Sequence, residues 1–246
     1  MLHSSDRPMV SVCMAAYNGA AFIVEQIASI LAQLGDGDEL IVIDDCSQDD
    51  TVALVQAVDD PRIRLIRSEQ NNGYMRTFER AIGLSEGDVV FLSDQDDIWL
   101  PGRLDRMVDA LEDVELVVSN FGSFGGALTR VQARRLKAAD STRWKRNIFW
   151  IWVGTRPYYG CCMAFRAELR ERILPFPPYL TETHDQWLGY VANVDRSVRH
   201  LEEDTISRRV HGANSSKTGR GLGEILRARM MTGRAIVEAF RRRVRA

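Results

Sequence analysis

Four apolar runs, Val10–Met14, Leu40–Ile43, Ile63–Ile66 and Val89–Leu92, each lead into a polar break and then a stretch of helical period. No other feature limits the fold of this chain as strongly. Runs this short and continuous, bounded by Gly, Asn and Asp, suit strands buried on both faces. After the first run, Phe22, Ile23, Ile27, Ile30, Leu31 and Leu34 recur at helical spacing, and Gly35 and Gly37 stop them. Ser47 or Asp49 can cap a helix to about Val58. The Asn71-Asn72-Gly73 turn precedes a helix over Tyr74–Leu84, and Pro101 suits the first turn of one through Leu111. Leu116–Ser119 reads as a fifth strand. This repetition predicts an α/β fold: a mostly parallel sheet flanked by helices on both faces.

The second half is less regular. Residues 130–146 carry seven bases and one acid and read as an exposed helix or loop. Ile148–Val153 and Tyr159–Phe165 are apolar, Pro175, Pro177 and Pro178 mark a loop, His184–Val194 reads as a helix and 206–211 as a strand. The 246 residues suffice for a core without staples. Cys13, Cys46, Cys161 and Cys162 form no C-x-x-C pair and read as reduced, half-buried thiols without zinc spacing. The start, MLHSSDRPMV, shows no signal-peptide pattern, and no apolar run reaches the ~18–20 residues of a membrane span, so the expected location is cytoplasmic.

The net charge of −2 conceals two parts. Residues 217–246 hold nine Arg and Lys, Lys217 and Arg220 among them, against two acids, while the rest holds 23 bases against 32 acids. From Leu222 onward the tail reads as a helix, with Leu222, Leu226, Met230, Gly233, Val237, Phe240 and Val244 in one stripe and most arginines off it. Such a helix either lies on an anionic membrane surface, here the inner face of the cell membrane, or docks on its own domain. Nucleic-acid binding is disfavoured by the acidic body and the lack of a nucleic-acid motif.

In open α/β sheets, ligands bind beyond the carboxyl ends of the strands. Three of the four early strands end in polar clusters: Tyr17-Asn18, Asp44-Asp45, and Asp94, Asp96 and Asp97. Three carboxylates within four residues repel one another, and a hard cation such as Mg²⁺ or Mn²⁺ would relieve this. The bland alternative is a solvated turn with Asp97 as a helix cap. An acid at the second strand's end can bind a ribose hydroxyl or a base N–H, although Ser47 or Asp49 can also cap a helix there. A dinucleotide dehydrogenase is disfavoured because the first strand–helix turn lacks G-x-G-x-x-G. A phosphorylatable receiver domain would need half this length and a Lys where Ser119-Asn120 stands.

The segment Val10–Gly19, the Asp44-Asp45 segment, Asn72-Gly73 and Ser93–Asp97, in this order, resemble the GT-A family 2 glycosyltransferases, most closely the bacterial rhamnosyltransferase-like branch. The resemblance covers about 9–120 and weakens to about 216; Ala15 stands where many relatives have Pro. It implies a GT-A domain over 1–216, with a nucleotide-sugar-binding half at 9–120 and an acceptor-binding half at 121–216, followed by a basic amphipathic C-terminal helix over 217–246. The implied activity is an inverting, metal-dependent transfer of a sugar from a nucleotide-diphosphate donor to a hydroxyl of a lipid-linked or surface-glycan acceptor. Rhamnose from its thymidine-diphosphate form is the implied donor, and a nucleotide-sugar-binding protein without transfer is the alternative.

By the same resemblance Ala16, Tyr17, Asn18, Asp44, Asp45, Asn72, Asp94 and Gln95 line the nucleotide-sugar pocket. Asp94, Asp96 and His211 hold Mg²⁺ or Mn²⁺; His211, in Arg208–Asn214, can instead donate to a phosphate. Asp185 of His184-Asp185-Gln186-Trp187 is the expected base, its bland role being a helix N-cap, and His184 is expected to hydrogen-bond locally. Arg209 is a candidate phosphate partner or a surface residue. Gly160 would admit substrate, with Cys161 and Cys162 as packing. Trp144–Trp152 is either an acceptor platform or core.

Overall fold

Strand β1 (Val10–Ala16) is the middle of the sheet, and six of its seven residues are buried, as a run apolar on both faces requires. It pairs in parallel with β2 (Glu39–Asp44) on one side and β4 (Val89–Ser93) on the other, and β3 (Ile63–Arg67) extends the sheet beyond β2. Helices α1 (Ile23–Leu31), α2 (Thr51–Gln56) and α3 (Tyr74–Leu84) make the crossovers. The registers Ala16 with Asp44 and Met14 with Ser93 bring the polar ends of β1, β2 and β4 to one edge. The structure is a computed structural model that describes residues 7–211 and 221–245. The expected boundary at residue 216, the Gly212-Ala213-Asn214 stretch, and Lys217 and Arg220 lie outside the described residues.

The second half completes a mixed sheet. After β5 (Ile98–Trp99) and α4 (Arg103–Ala110), the expected fifth strand runs on to Phe124 as β6 (Leu116–Phe124). It does not pair with β4. The antiparallel β7 (Met163–Arg166) lies between them, and β8 (Val198–Arg209), eight residues longer at its start than expected, lies beyond β6. The strand order is β3-β2-β1-β4-β7-β6-β8-β5. Pro101 precedes α4 instead of starting it, because Gly102 intervenes at φ +75°. Helices α5 (Trp144–Val153), α6 (Arg170–Ile173), α7 (His184–Val194) and α8 (Leu222–Arg245) cover this half. Residues 130–143 form loop and short turns.

Three cysteines, Cys13, Cys161 and Cys162, are buried rather than half-buried, and all four are free thiols. Arg103 is wholly buried; it donates to the Cys161 carbonyl at 2.8 Å and to Thr205, and lies 4.8 Å from the Trp99 ring. Helix α8 docks on α7 and α5, but not through its expected stripe. The buried line is Ala228, Thr232, Ala235 and Ala239. Arg242 donates to the carbonyls of Arg172, Leu174 and Pro175, and Arg243 to that of Val194. Leu226, Met230, Val237, Phe240 and Val244 face outward; the side chain of Leu222 lies outside those described. Small residues allow close helix approach, so the bulky stripe is the one left over.

Candidate functional site

The turn after β1 is held by side chains from its neighbours. Gln95 clamps Tyr17 at both ends: the Tyr17 N–H donates to Gln95 Oε1 at 2.8 Å and Gln95 Nε2 donates to the Tyr17 carbonyl at 3.0 Å. A side chain at Gly19 would meet Gln95 Oε1 at 2.2 Å, so glycine makes this clamp possible. Asn18 takes φ +48°, its N–H donates to Ser47 Oγ at 2.9 Å, and its Oδ1 accepts from the Gln48 N–H at 2.8 Å. Ser47 and Asp49 therefore hold the β1 turn: the Ala20 N–H donates to Asp49 Oδ2. The N-cap position of α2 is Asp50, but Asp49 also serves the helix start, its Oδ1 accepting from the Thr51 N–H at 3.0 Å, whereas Ser47 does not. Tyr17 is left largely exposed beside this turn.

Asp44 and Asp45 have different duties. Asp45 accepts from the N–H groups of Asn72 at 2.9 Å and Gly73 at 2.8 Å, which anchors the start of α3. The Ala16 carbonyl accepts from the Asp45 N–H at 2.8 Å. Asp44 is buried; its Oδ2 accepts from the Ser47 N–H at 3.2 Å, and its Oδ1 has no partner. A buried unpaired carboxylate oxygen is costly, and a ligand donor arriving there would relieve it. The Asn72 side chain donates to the Gln70 carbonyl at 2.9 Å.

The acidic loop after β4 is propped from below by Gln26 of α1, whose Nε2 donates to Ser93 Oγ at 2.7 Å and to the Asp94 carbonyl at 3.1 Å. The expected metal set divides in two. Ligand atoms of Asp94, Asp97 and Cys161 lie within 4.8 Å of one another. Asp96 instead meets His211, with Nε2 to Oδ2 at 2.8 Å. Burial, then the charge of Asp96, pushes Asp94 up to about 6; burial, then Asp94 and Asp96, pushes Asp97 up to about 7. Asp97 is not only a turn residue: its Oδ1 accepts from the Arg209 N–H at 3.0 Å, while its Oδ2 is buried without a partner. Mutually repelling carboxylates with an unpartnered buried oxygen fit a hard divalent cation, and the oxygen donors suit Mg²⁺ or Mn²⁺. Cys161 packs in the core as expected, and its thiol also faces these acids. Its thiol is pushed far up, first by a hydrogen bond with Cys162 and then by burial, so it stays protonated and is a poor ligand for such an ion.

Arg209 is already engaged, donating to the Asp96 carbonyl at 3.1 Å and to Glu25, with its guanidinium 4.4 Å from the Phe124 ring and 4.9 Å from Phe22. Its neighbour Arg208 lies over Tyr159 at 4.6 Å and Phe121 at 5.5 Å. Burial lowers the Arg208 pKa, but the surrounding Cys161, Asp94 and Asp97 outweigh it and raise it overall. The motif containing Arg208 was visible in the sequence, but not which of its two arginines turns inward.

Asp185 sits in the first turn of α7, where its Oδ1 accepts from the Gln186 N–H at 2.7 Å; the N-cap position belongs to Thr183 at φ +72°. Burial pushes Asp185 up to about 7; the Gln186 hydrogen bond and Arg208 pull it down, and Asp94 pushes it up. Asp94, Asp185 and Arg208 therefore share one electrostatic environment. His184 makes no hydrogen bond through either ring nitrogen, contrary to expectation. It stacks on Phe78 at 4.3 Å, and burial drives it down to about 3, so it is neutral packing. Gly160 makes room for this ring: a Cβ there would lie 2.5 Å from His184 Nε2. The Trp run forms α5, where Trp152 donates to the Arg229 carbonyl at 3.0 Å and thus faces α8.

Residues 11–174 match the family described as Glycosyl transferase family 2. The succinoglycan biosynthesis protein ExoO of Rhizobium meliloti (strain 1021) is 45% identical over 102 residues, 42% of this chain and 29% of that protein. The chain thus covers less than a third of that relative. The fold is similar to S. aureus TarS 1-349 in complex with UDP-GlcNAc, at TM-score 0.68 and 18% identity, over 95% of this chain and 72% of that one. It is also similar to the mannosyltransferase PcManGT from Pyrobaculum calidifontis in complex with GDP-Man and Mn²⁺, at TM-score 0.60 and 20% identity, over 98% and 65%.

Proposed function

The chain belongs to glycosyl transferase family 2, and on that premise we propose that it transfers a sugar, with inversion, from a nucleotide-diphosphate donor to a hydroxyl of a bacterial polysaccharide or its lipid-linked precursor. The observation that carries this reading is the close pair Asp94 and Asp97 at the carboxyl end of β4, with Arg208 and Asp185 within the reach of their charge. Asp185 takes the proton of the acceptor hydroxyl as that oxygen attacks the anomeric carbon. The bond from that carbon to the diphosphate breaks on the opposite face, and its electron pair leaves with the diphosphate. A carboxylate poised near 7 suits a base at neutral pH. Arg208 receives the developing phosphate charge, a task for which a guanidinium is geometrically suited.

Asp94 and Asp97, with Asp96 and His211 adjoining, would hold Mg²⁺ or Mn²⁺, which supplies Lewis-acid neutralisation of the leaving diphosphate. The Tyr17–Asn18 turn, Gln95 and the free oxygen of Asp44 would receive the nucleoside, near Ala16, Asp45 and Asn72. Rhamnose as the sugar is supported by motif resemblance alone. The similar solved structures hold UDP-GlcNAc and GDP-Man, so the test is a thermal-shift screen of uridine, guanosine and thymidine diphosphates and their sugars, with and without Mn²⁺. The correct donor base stabilises the protein by RT ln(1 + [L]/Kd) in a metal-dependent way. No response to any nucleotide would refute the reading. Binding without turnover on any acceptor would leave a nucleotide-sugar-binding protein.

A further inference from the structure

Helix α8 carries more apolar surface than its docking uses. One line of small residues is buried, and a second line remains outside: Leu226 is 62% exposed, Met230 59%, Val237 51% and Val244 87%. On α5, Phe149 is 51% exposed and lies 6.4 Å from Trp152, which hydrogen-bonds to α8, and Trp144 meets Phe240 of α8 edge-on at 6.3 Å, so the apolar area passes from one helix to the other. Lys145 lies 5.3 Å and Arg196 5.1 Å from the Trp144 ring. Along α8, Arg227, Arg234 and Arg241 recur every seventh residue and line one flank of the stripe, and all three are exposed. The helix holds seven arginines against two glutamates.

The outward stripe has the spacing of a coiled-coil seam, which makes a second copy of the chain the first occupant to consider. Its charges oppose that. With Met230, Val237 and Val244 at one seam position and Leu226, Gly233 and Phe240 at the other, the flanking positions are Arg227, Arg234 and Arg241 on one side and Arg229, Ile236 and Arg243 on the other. Either orientation of a self-pair sets arginine against arginine. The spread of the patch onto Trp144 and Phe149 also exceeds a single seam. An apolar face of leucine, methionine, phenylalanine and tryptophan rimmed by arginine and lysine matches a lipid interface with anionic headgroups. No helix among the described residues is long and apolar enough to cross a membrane, so this contact would be in the plane of the surface.

We propose that the outward face of α8, together with Trp144 and Phe149 of α5, seats the protein on an anionic lipid surface. The buried face of α8 holds the helix rigidly against α7, whose first turn carries Asp185, so seating fixes the orientation of the candidate base relative to the lipid. The surface stands apart from the transfer reading: vesicle binding needs neither donor nor metal, and its failure would leave that reading intact.

The test is co-sedimentation of the whole chain with vesicles of phosphatidylcholine and phosphatidylglycerol, against phosphatidylcholine alone. Binding is expected on the anionic vesicles only and should weaken with salt. Met230→Ser with Val237→Ser, and separately Arg227→Gln with Arg234→Gln and Arg241→Gln, should each lower partitioning, the three arginines together by on the order of 100-fold. The Met230 and Val237 side chains are exposed, so the melting temperature of that variant should stay near the parent's. Absence of parent binding, or binding unchanged in both variants, overturns the proposal. So does a dimer in solution that the Met230 and Val237 changes dissociate while vesicle binding persists, which would assign the stripe to a second copy.

Discussion

Asp185 draws its chemistry from its surroundings. Burial holds its carboxyl up at about 7, far above an ordinary Asp, while the Gln186 N–H and Arg208 keep it from rising further. A base must be unprotonated, so turnover should climb as pH rises through about 7 and then level off, a limb that initial rates across pH would reveal. Asp185→Asn should cut turnover by roughly 100- to 10,000-fold while the circular dichroism spectrum stays unchanged. For stability the sign is opposite. A carboxyl raised in the folded state contributes stability below about pH 4 and loses it as pH rises through about 7. Arg208→Lys should keep the charge yet lose the planar fork, lowering turnover or donor affinity, and donor titration together with kcat separates the two. The position of Asp185 in the first turn of α7 was legible from its motif. That of Arg208 was not, because successive strand residues point to opposite faces, and only the packing of β8 shows that the Arg208 side chain lies within the field of Asp94 and Asp97 while that of Arg209 pairs with Glu25.

At the scale of elements, two contacts hold the site's walls. Asp45 satisfies two N–H groups at the start of α3, so Asp45→Ala should destabilise the fold by about 1–3 kcal/mol. Asp44→Asn should cost less stability and weaken nucleotide binding, which urea unfolding alongside nucleotide titration would distinguish. Gly160→Ala places a methyl against the His184 ring; we expect about 1–3 kcal/mol of destabilisation and a drop in turnover, since that ring leads directly into Asp185. Helices α3 and α7 began where the turn and motif residues placed them. Periodicity also identified α8 and its bulky stripe, leaving open whether that stripe met lipid or the domain, but it did not reveal the line of small residues that docks. Counting hydrophobic residues weights size, whereas helix-on-helix approach favours alanine, and the Ala228, Ala235 and Ala239 line is inconspicuous in a sequence.

Across the whole molecule, Asp94 and Asp97 become costly as they charge, and a bound cation would offset that cost. Added Mn²⁺ should therefore raise the melting temperature more at about pH 8 than at about pH 5; equal shifts would argue against those carboxyls as the ion's ligands. The alternation of apolar runs and helical segments determined the parallel half of the sheet and the gathering of acids at its edge, because burial on two faces and crossover connections leave few other arrangements. The local motifs likewise determined the family and the candidate base. Tertiary structure alone decided that β7 runs antiparallel between β4 and β6, that Asp94 groups with Asp97 while Asp96 turns to His211, and which face of α8 is buried. Each of these depends on contacts between residues far apart in the chain, where shape and burial choose among local options that are nearly equal in energy.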